Sequence, residues 1–138
     1  MFDRMEERKP RVLVIDDDRL IVVLMGAILE RNDFEVLEAT SGKQGLELAK
    51  TGSPDVILLD LFMPETDGLE VLRRLRMEPE TWKTPVILLT GVTDDRYTSE
   101  SETLGTAGYI VKPFSPTLLV NKVMETCGIK EKEPIGIG

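Results

Sequence analysis

Four apolar runs in this chain end in side chains that carry charge or a hydroxyl. Val12-Leu13-Val14-Ile15 runs into Asp16-Asp17-Asp18, and Val56-Ile57-Leu58-Leu59 into Asp60. Pro85-Val86-Ile87-Leu88-Leu89 runs into Thr90-Gly91, and Tyr109-Ile110-Val111 into Lys112-Pro113. Clustered carboxylates repel one another and favour a hard divalent cation. Mg²⁺ is the usual occupant, bound by one or two carboxylates together with phosphate oxygens and water. Beside such an ion Asp60 can act as a nucleophile and form an aspartyl phosphate. Lys112 and the Thr90 hydroxyl would meet the non-bridging phosphoryl oxygens, where charge has to be stabilised during transfer. The chemistry is metal-assisted phosphoryl transfer onto an aspartate.

That chemistry needs the four runs side by side. Short continuous apolar runs bounded by turn residues read as buried strands of a parallel sheet. Open α/β sheets bind ligands outside the carboxyl ends of their strands. The pattern between the runs supplies the crossovers. A helix is expected over Arg19–Arg31, with Asp18 as its cap, and a second over 42–51, capped by Ser41 with Leu46, Leu48 and Ala49 inward. A third is expected from Gly68 to Met77, a fourth over 94–104 and a fifth over 116–127, opening on Pro116. The stretch 34–38 alternates apolar and charged residues, as an edge strand does. Five strands alternating with five helices predict an α/β fold: a doubly wound, five-stranded parallel sheet of order 2-1-3-4-5, flavodoxin-like, with helices on both faces.

The set of residues resembles the receiver domain of response regulators, the CheY-like phosphoacceptor module of two-component signalling. The resemblance is carried by Asp16-Asp17, Asp60, Pro64, Gly68, Thr90-Gly91 and Lys112-Pro113-Phe114, each group following a predicted strand, and it covers residues 10 to 128. It implies phosphorylation of Asp60 by a sensor histidine kinase or a histidine phosphotransfer protein. It implies a Mg²⁺ cofactor ligated by Asp16, Asp17, Asp60 and the backbone carbonyl of Phe62, with Asp17 the direct carboxylate ligand and Asp16 acting through water or by positioning it. Asp60, Lys112 and Thr90 form the reactive set. Tyr109, three residues before the lysine, takes the family's aromatic switch position opposite Thr90. Phe62 and Val92 occupy the positions that hold hydrolytic water in similar receivers. Neither side chain can hydrogen-bond a water, so slow self-dephosphorylation is expected. The implied protein is a signalling switch acting on a downstream effector protein or output domain, and it is an enzyme only towards its own phosphorylation and dephosphorylation.

A phosphohydrolase of the haloacid-dehalogenase type is the competing reading. It would take Asp16 as nucleophile and Asp18 as acid, but it leaves Asp60 unexplained and finds no cap domain in 138 residues.

Composition narrows the partners. Seventeen basic against twenty-five acidic residues give a net charge of −8, which argues against direct nucleic-acid binding. No uncharged run is longer than that from Leu20 to Leu29, which is too short to span a bilayer, and the charged start is no signal peptide. A cytoplasmic location and no membrane contact are expected. With no histidine in the chain, the phosphodonor must be another molecule, and the single cysteine, Cys127, reads as an inert thiol. Residues 1–9 are expected to be a charged extension, 10–128 the receiver domain, and 129–138 a frayed, flexible tail. The domain either stands alone or is excised from a larger regulator.

Lesser expectations concern surfaces. On the first helix Ile21, Leu24, Met25 and Ile28 are expected to face the sheet, leaving Val22 and Val23 as a docking patch for a helical phosphodonor. The fourth helix, with Tyr97 and Leu104 its only large apolar residues, is expected to be weakly held and mobile. Trp82 is expected to anchor its loop.

Overall fold

The computed structural model describes residues 8–64, 66–91 and 95–129, the side chains of 95–98 excepted. Strands β1 (Arg11–Ile15), β2 (Glu35–Ala39), β3 (Val56–Asp60), β6 (Val86–Thr90) and β7 (Gly108–Val111) form one parallel sheet in the order β2-β1-β3-β6-β7. Two further strands, β4 (Phe62–Met63) and β5 (Thr66–Asp67), make a small antiparallel hairpin after β3. Apart from that hairpin, the order is the expected 2-1-3-4-5. Helices α1 (Arg19–Arg31), α2 (Gly42–Gly52), α3 (Gly68–Met77), α4 (Asp95–Leu104) and α5 (Pro116–Thr126) supply the crossovers.

Both faces of the three central strands are buried, which is why their sequences are continuously apolar rather than alternating. Side-chain alternation divides them between two cores. Val12, Val14, Val56, Leu58, Ile87 and Leu89 pack under α1 and α5. Leu13, Ile15, Ile57, Leu59, Val86 and Leu88 pack under α2 and α3. At the carboxyl edge this alternation sends Asp16 and Asp60 in phase with the first set and Thr90 in phase with the second.

Local chemistry fixes the helix starts. Asp18 accepts from the Leu20 and Ile21 amides, Ser41 from Gln44, Asp67 from Leu69 and Ser115 from Leu118.

Three expectations are corrected. The second strand begins at Glu35 rather than at 34, because Phe34 is buried and its N–H closes α1 on the Leu29 carbonyl. The buried stripe of α1 is Val22, Met25, Gly26 and Leu29, while Leu24 is 50% exposed with Leu20 and Val23 beside it. The helix is therefore rotated from the expected position: Val22 belongs to the core, and the exposed apolar face is Leu20-Val23-Leu24. The Trp82 ring is exposed, with the Lys83 ammonium over it, rather than buried as a loop anchor. Its loop is held by the buried Thr81, whose hydroxyl donates to the Leu75 carbonyl, and by Arg76. In α2, Ala49 is buried, whereas Leu46 and Leu48 are half-buried against the core.

Candidate functional site

The carboxyl ends of β1, β3 and β7 bring Asp16, Asp60 and Lys112 together. Asp16 is fully buried. One of its oxygens accepts from the Asp18 amide at 2.9 Å, the other from Lys112 Nζ at 2.7 Å. Asp60 is 5% exposed and accepts from the Phe62 amide at 3.1 Å, and its second oxygen lies 3.5 Å from Lys112 Nζ. Asp17 is exposed, and one carboxylate oxygen from each of Asp16, Asp17 and Asp60 falls within 4.8 Å of the others.

These charges act on one another. Burial pushes the Asp60 carboxyl up to about 6; the neighbouring Asp16 charge adds to this, while the Phe62 amide and Lys112 oppose it. Burial pulls the Lys112 ammonium down, but its bond to Asp16 and the charges of Asp60 and Asp16 outweigh that, and its pKa is raised overall. Lys112 supplies one positive charge against three carboxylates. The surplus negative charge and the all-oxygen donors suit a hard divalent cation.

The backbone around the cluster is tightly specified. The peptide between Lys112 and Pro113 is cis, and the Lys112 amide donates to the Thr90 carbonyl at 2.8 Å. A Cβ on Gly68 would lie 2.5 Å from the Asp60 carbonyl oxygen, so only glycine lets α3 start this close to the end of β3. The β4–β5 hairpin, which no strand-length pattern in the sequence announced, holds Phe62 directly after the site with its side chain 41% exposed. Gly91 is exposed, and a Cβ there would meet nothing within 4 Å. Asp18, the acid of the competing hydrolase reading, is occupied as the α1 cap.

Thr90 is buried on β6. On the neighbouring strand Tyr109 pairs in register with Leu88, which places Tyr109 and Thr90 on the same sheet face. Tyr109 packs with Leu104 against the α2/α3-side core. Its hydroxyl is hydrogen-bonded at 2.5 Å to that of Ser101, a fully buried residue of α4. Sequence reasoning passed over Ser101. The signal was its place between Tyr97 and Leu104 at positions i, i+4 and i+7, where a helix's inward stripe runs. Val92, expected to obstruct water, lies outside the described residues, as do Thr93 and Asp94.

Two clefts lie near these elements. One of about 230 Å³ adjoins Asp17 and is walled by Thr40, Ser41, Met63, Pro64 and Thr66. A larger one of about 600 Å³ lies between α2 and α3 with Leu46, Val71 and Leu75 among its lining; none of the site carboxylates borders it. Cys127 is half-buried, and burial, with the Asp55 charge adding, pushes its thiol up to about 11, as an inert thiol requires. Among the described residues no helix is long and apolar enough to cross a membrane.

Most of the chain matches known proteins. The response regulator receiver domain model matches residues 12–124. The transcriptional regulatory protein SrrA of Staphylococcus aureus is 41% identical over 112 residues, covering 81% of this chain and 45% of that protein. The chain thus spans less than half the length of the curated relatives it matches. The Vibrio cholerae chemotaxis protein CheY4 superposes with a TM-score of 0.82 at 30% identity, over 86% of this chain and 98% of that one. A CheY-like receiver domain protein from Methanospirillum hungatei gives a TM-score of 0.82 at 28% identity, over 87% and 94%. The chain belongs to the response regulator receiver domain family. It is a receiver of two-component systems, a signalling domain rather than a conventional enzyme.

Proposed function

We propose that residues 10–128 form a receiver that accepts a phosphoryl group on Asp60 and changes its protein-binding surface in response. The observation that carries this reading is the meeting of Asp16, Asp17, Asp60 and Lys112 at one sheet edge. Asp16, Asp17, Asp60 and the Phe62 carbonyl would hold Mg²⁺. When bound, that ion neutralises phosphoryl charge and lets the carboxylate and the phosphoryl group approach.

The Asp60 carboxylate attacks phosphorus. The P–N bond of a phosphohistidine donor breaks, its electron pair returning to the imidazole nitrogen. Lys112 shifts from pairing with Asp16 towards the new phosphoryl oxygens, and the Thr90 hydroxyl donates to another. Drawing Thr90 inward opens space on its sheet face for Tyr109, which couples the site to α4.

The donor is a sensor histidine kinase or a histidine phosphotransfer protein. The exposed apolar face of α1, with Leu118 of α5 also exposed, suits a helical partner of that kind. The effector is a downstream protein or an output domain. SrrA, named as a transcriptional regulator, makes a transcriptional output region one candidate. The net charge of −8 speaks against this chain touching nucleic acid itself, and a cytoplasmic location fits an intracellular donor. Residues 1–9 and 129–138 are taken as extensions of the domain.

The test is intact-mass measurement after incubation with Mg²⁺ and acetyl phosphate. One phosphoryl adduct is expected, absent from Asp60→Asn. The same adduct in that variant would refute the assignment.

A further inference from the structure

Among the described residues, polar ties and the Leu104 side chain hold helix α4 to the fold. Of its side chains from 99 onward only Ser101 is buried and Leu104 half-buried; the rest are exposed. The C-terminal end is pinned by Arg76 of α3, whose guanidinium donates to the Leu104 carbonyl at 2.9 Å and the Gly105 carbonyl at 2.8 Å, and also to the Thr84 carbonyl at 2.9 Å. Arg73 adds an exposed pair with Glu100 at 3.3 Å. One turn before the pinned end, the buried Ser101 hydroxyl meets the Tyr109 hydroxyl at 2.5 Å. This bond ties the tyrosine to the helix.

We propose that Ser101 is a positioning residue of the switch. Its hydroxyl holds the Tyr109 ring inward, against the α2/α3-side core, on the same sheet face as Thr90. This deepens the phosphoacceptor reading above and rests on it. In that reading, phosphorylation draws Thr90 towards Asp60 and Tyr109 fills the space from outside. A bond that favours the inward ring therefore favours the arrangement the phosphoryl group selects. By linkage it must strengthen binding of a phosphoryl group at Asp60.

The experiment uses the full chain with Mg²⁺ and beryllofluoride, a phosphoryl mimic, titrated by calorimetry. Ser101→Ala is expected to weaken the mimic's affinity about fivefold, the equivalent of one net hydrogen bond. Tyr109→Phe removes the same bond from its other end and is expected to weaken affinity similarly. The loss in the double variant should be less than the sum of the two single losses. Thermal melts accompany each titration, and if Ser101→Ala fails to fold, Tyr109→Phe alone reports the bond. A fall in Tm with unchanged affinity would make the bond structural only and overturn the proposal. Additive losses would overturn it as well, because the two hydroxyls would then act separately. Tighter binding in the variants would show that the bond favours the opposite arrangement. Failure of the unsubstituted chain to bind the mimic would instead overturn the Asp60 reading, and this proposal with it.

Discussion

Lys112 Nζ sits 2.7 Å from the fully buried Asp16 carboxylate and 3.5 Å from Asp60, so its ammonium is bonded to one acid while lying within reach of the nucleophile. The arrangement keeps a cation beside the reacting carboxylate and stops Asp16 from being a stranded charge. Removing one partner of a buried pair costs more than the pair contributes, because the other charge is left desolvated.

Lys112→Met should accordingly destabilise the metal-free domain at pH 7 by about 2 kcal/mol, below the range for fully buried pairs because the lysine side chain is 24% exposed. Added Mg²⁺ should restore much of that loss by supplying the missing positive charge. Melting curves with chelator and with Mg²⁺ provide the check. An equal deficit under both conditions would mean that the lysine's packing, not its charge, matters.

The raised pKa of Asp60 makes stability depend on pH in a defined direction. The folded state holds the Asp60 proton up to about pH 6, the unfolded chain only to the ordinary value of 3.8. Between those values the folded state binds more protons, so stability falls as pH rises through the window, by up to about 3 kcal/mol in chelator. Asp60→Asn has no proton to lose and should gain on the unsubstituted protein across that window. Denaturant titrations at pH 4, 6 and 8 would reveal the widening gap. Parallel pH profiles for the two proteins would remove the basis for the claim.

Phosphoryl lifetime should be long. Hydrolysis needs a water held in line with phosphorus, and the exposed Phe62 ring beside Asp60 offers no hydrogen bond to hold one. Many minutes or more are expected for the decay of labelled protein in Mg²⁺ after donor removal, with faster decay in Phe62→Asn and in Val92→Glu. Decay within seconds in the unsubstituted chain would point to another group positioning the water.

Donor docking should depend on the exposed α1 face. Leu24→Glu, at a half-exposed position, should slow transfer from a phosphohistidine donor at least several-fold and leave acetyl phosphate labelling unchanged. Val22→Glu places a charge in the core and should unfold the domain. If Leu24→Glu slows neither route, the donor uses a different face.

Arg76→Ala should release both α4 and the loop before β6. The guanidinium donates to the carbonyls of Thr81, Trp82, Thr84, Leu104 and Gly105. Losing this set should cost about 2–3 kcal/mol, because charged hydrogen bonds to partly buried acceptors are not replaced by alanine. Hydrogen exchange should rise first at 95–105, and protection unchanged there would contradict the pinning role.

What could be read from the sequence was whatever its own periodicity encodes. Continuous apolar runs at Val56 to Leu59 and Val86 to Leu89, short and bounded by turn residues, read as strands buried on both faces, and strands alternating with amphipathic helices wind in one handedness. That determined a doubly wound parallel sheet, the edge at which Asp16, Asp60, Thr90 and Lys112 collect, and the caps at Asp18 and Ser41, while the strand order itself is a matter of tertiary pairing. Tertiary structure decided matters that depend on rotation and long-range contact. The helical pattern of α1 admits more than one inward stripe because Leu20 to Leu29 is apolar almost all round. Only packing against β1 and α5 buries Val22 and leaves Leu24 in solvent. Trp82 is large and apolar, yet the carbonyl-rich loop is satisfied by Arg76, so the ring stays outside. The β4–β5 hairpin is too short to carry a period. The Ser101–Tyr109 bond joins residues on separate elements, where no local pattern pairs a serine with a tyrosine until the sheet and helix meet.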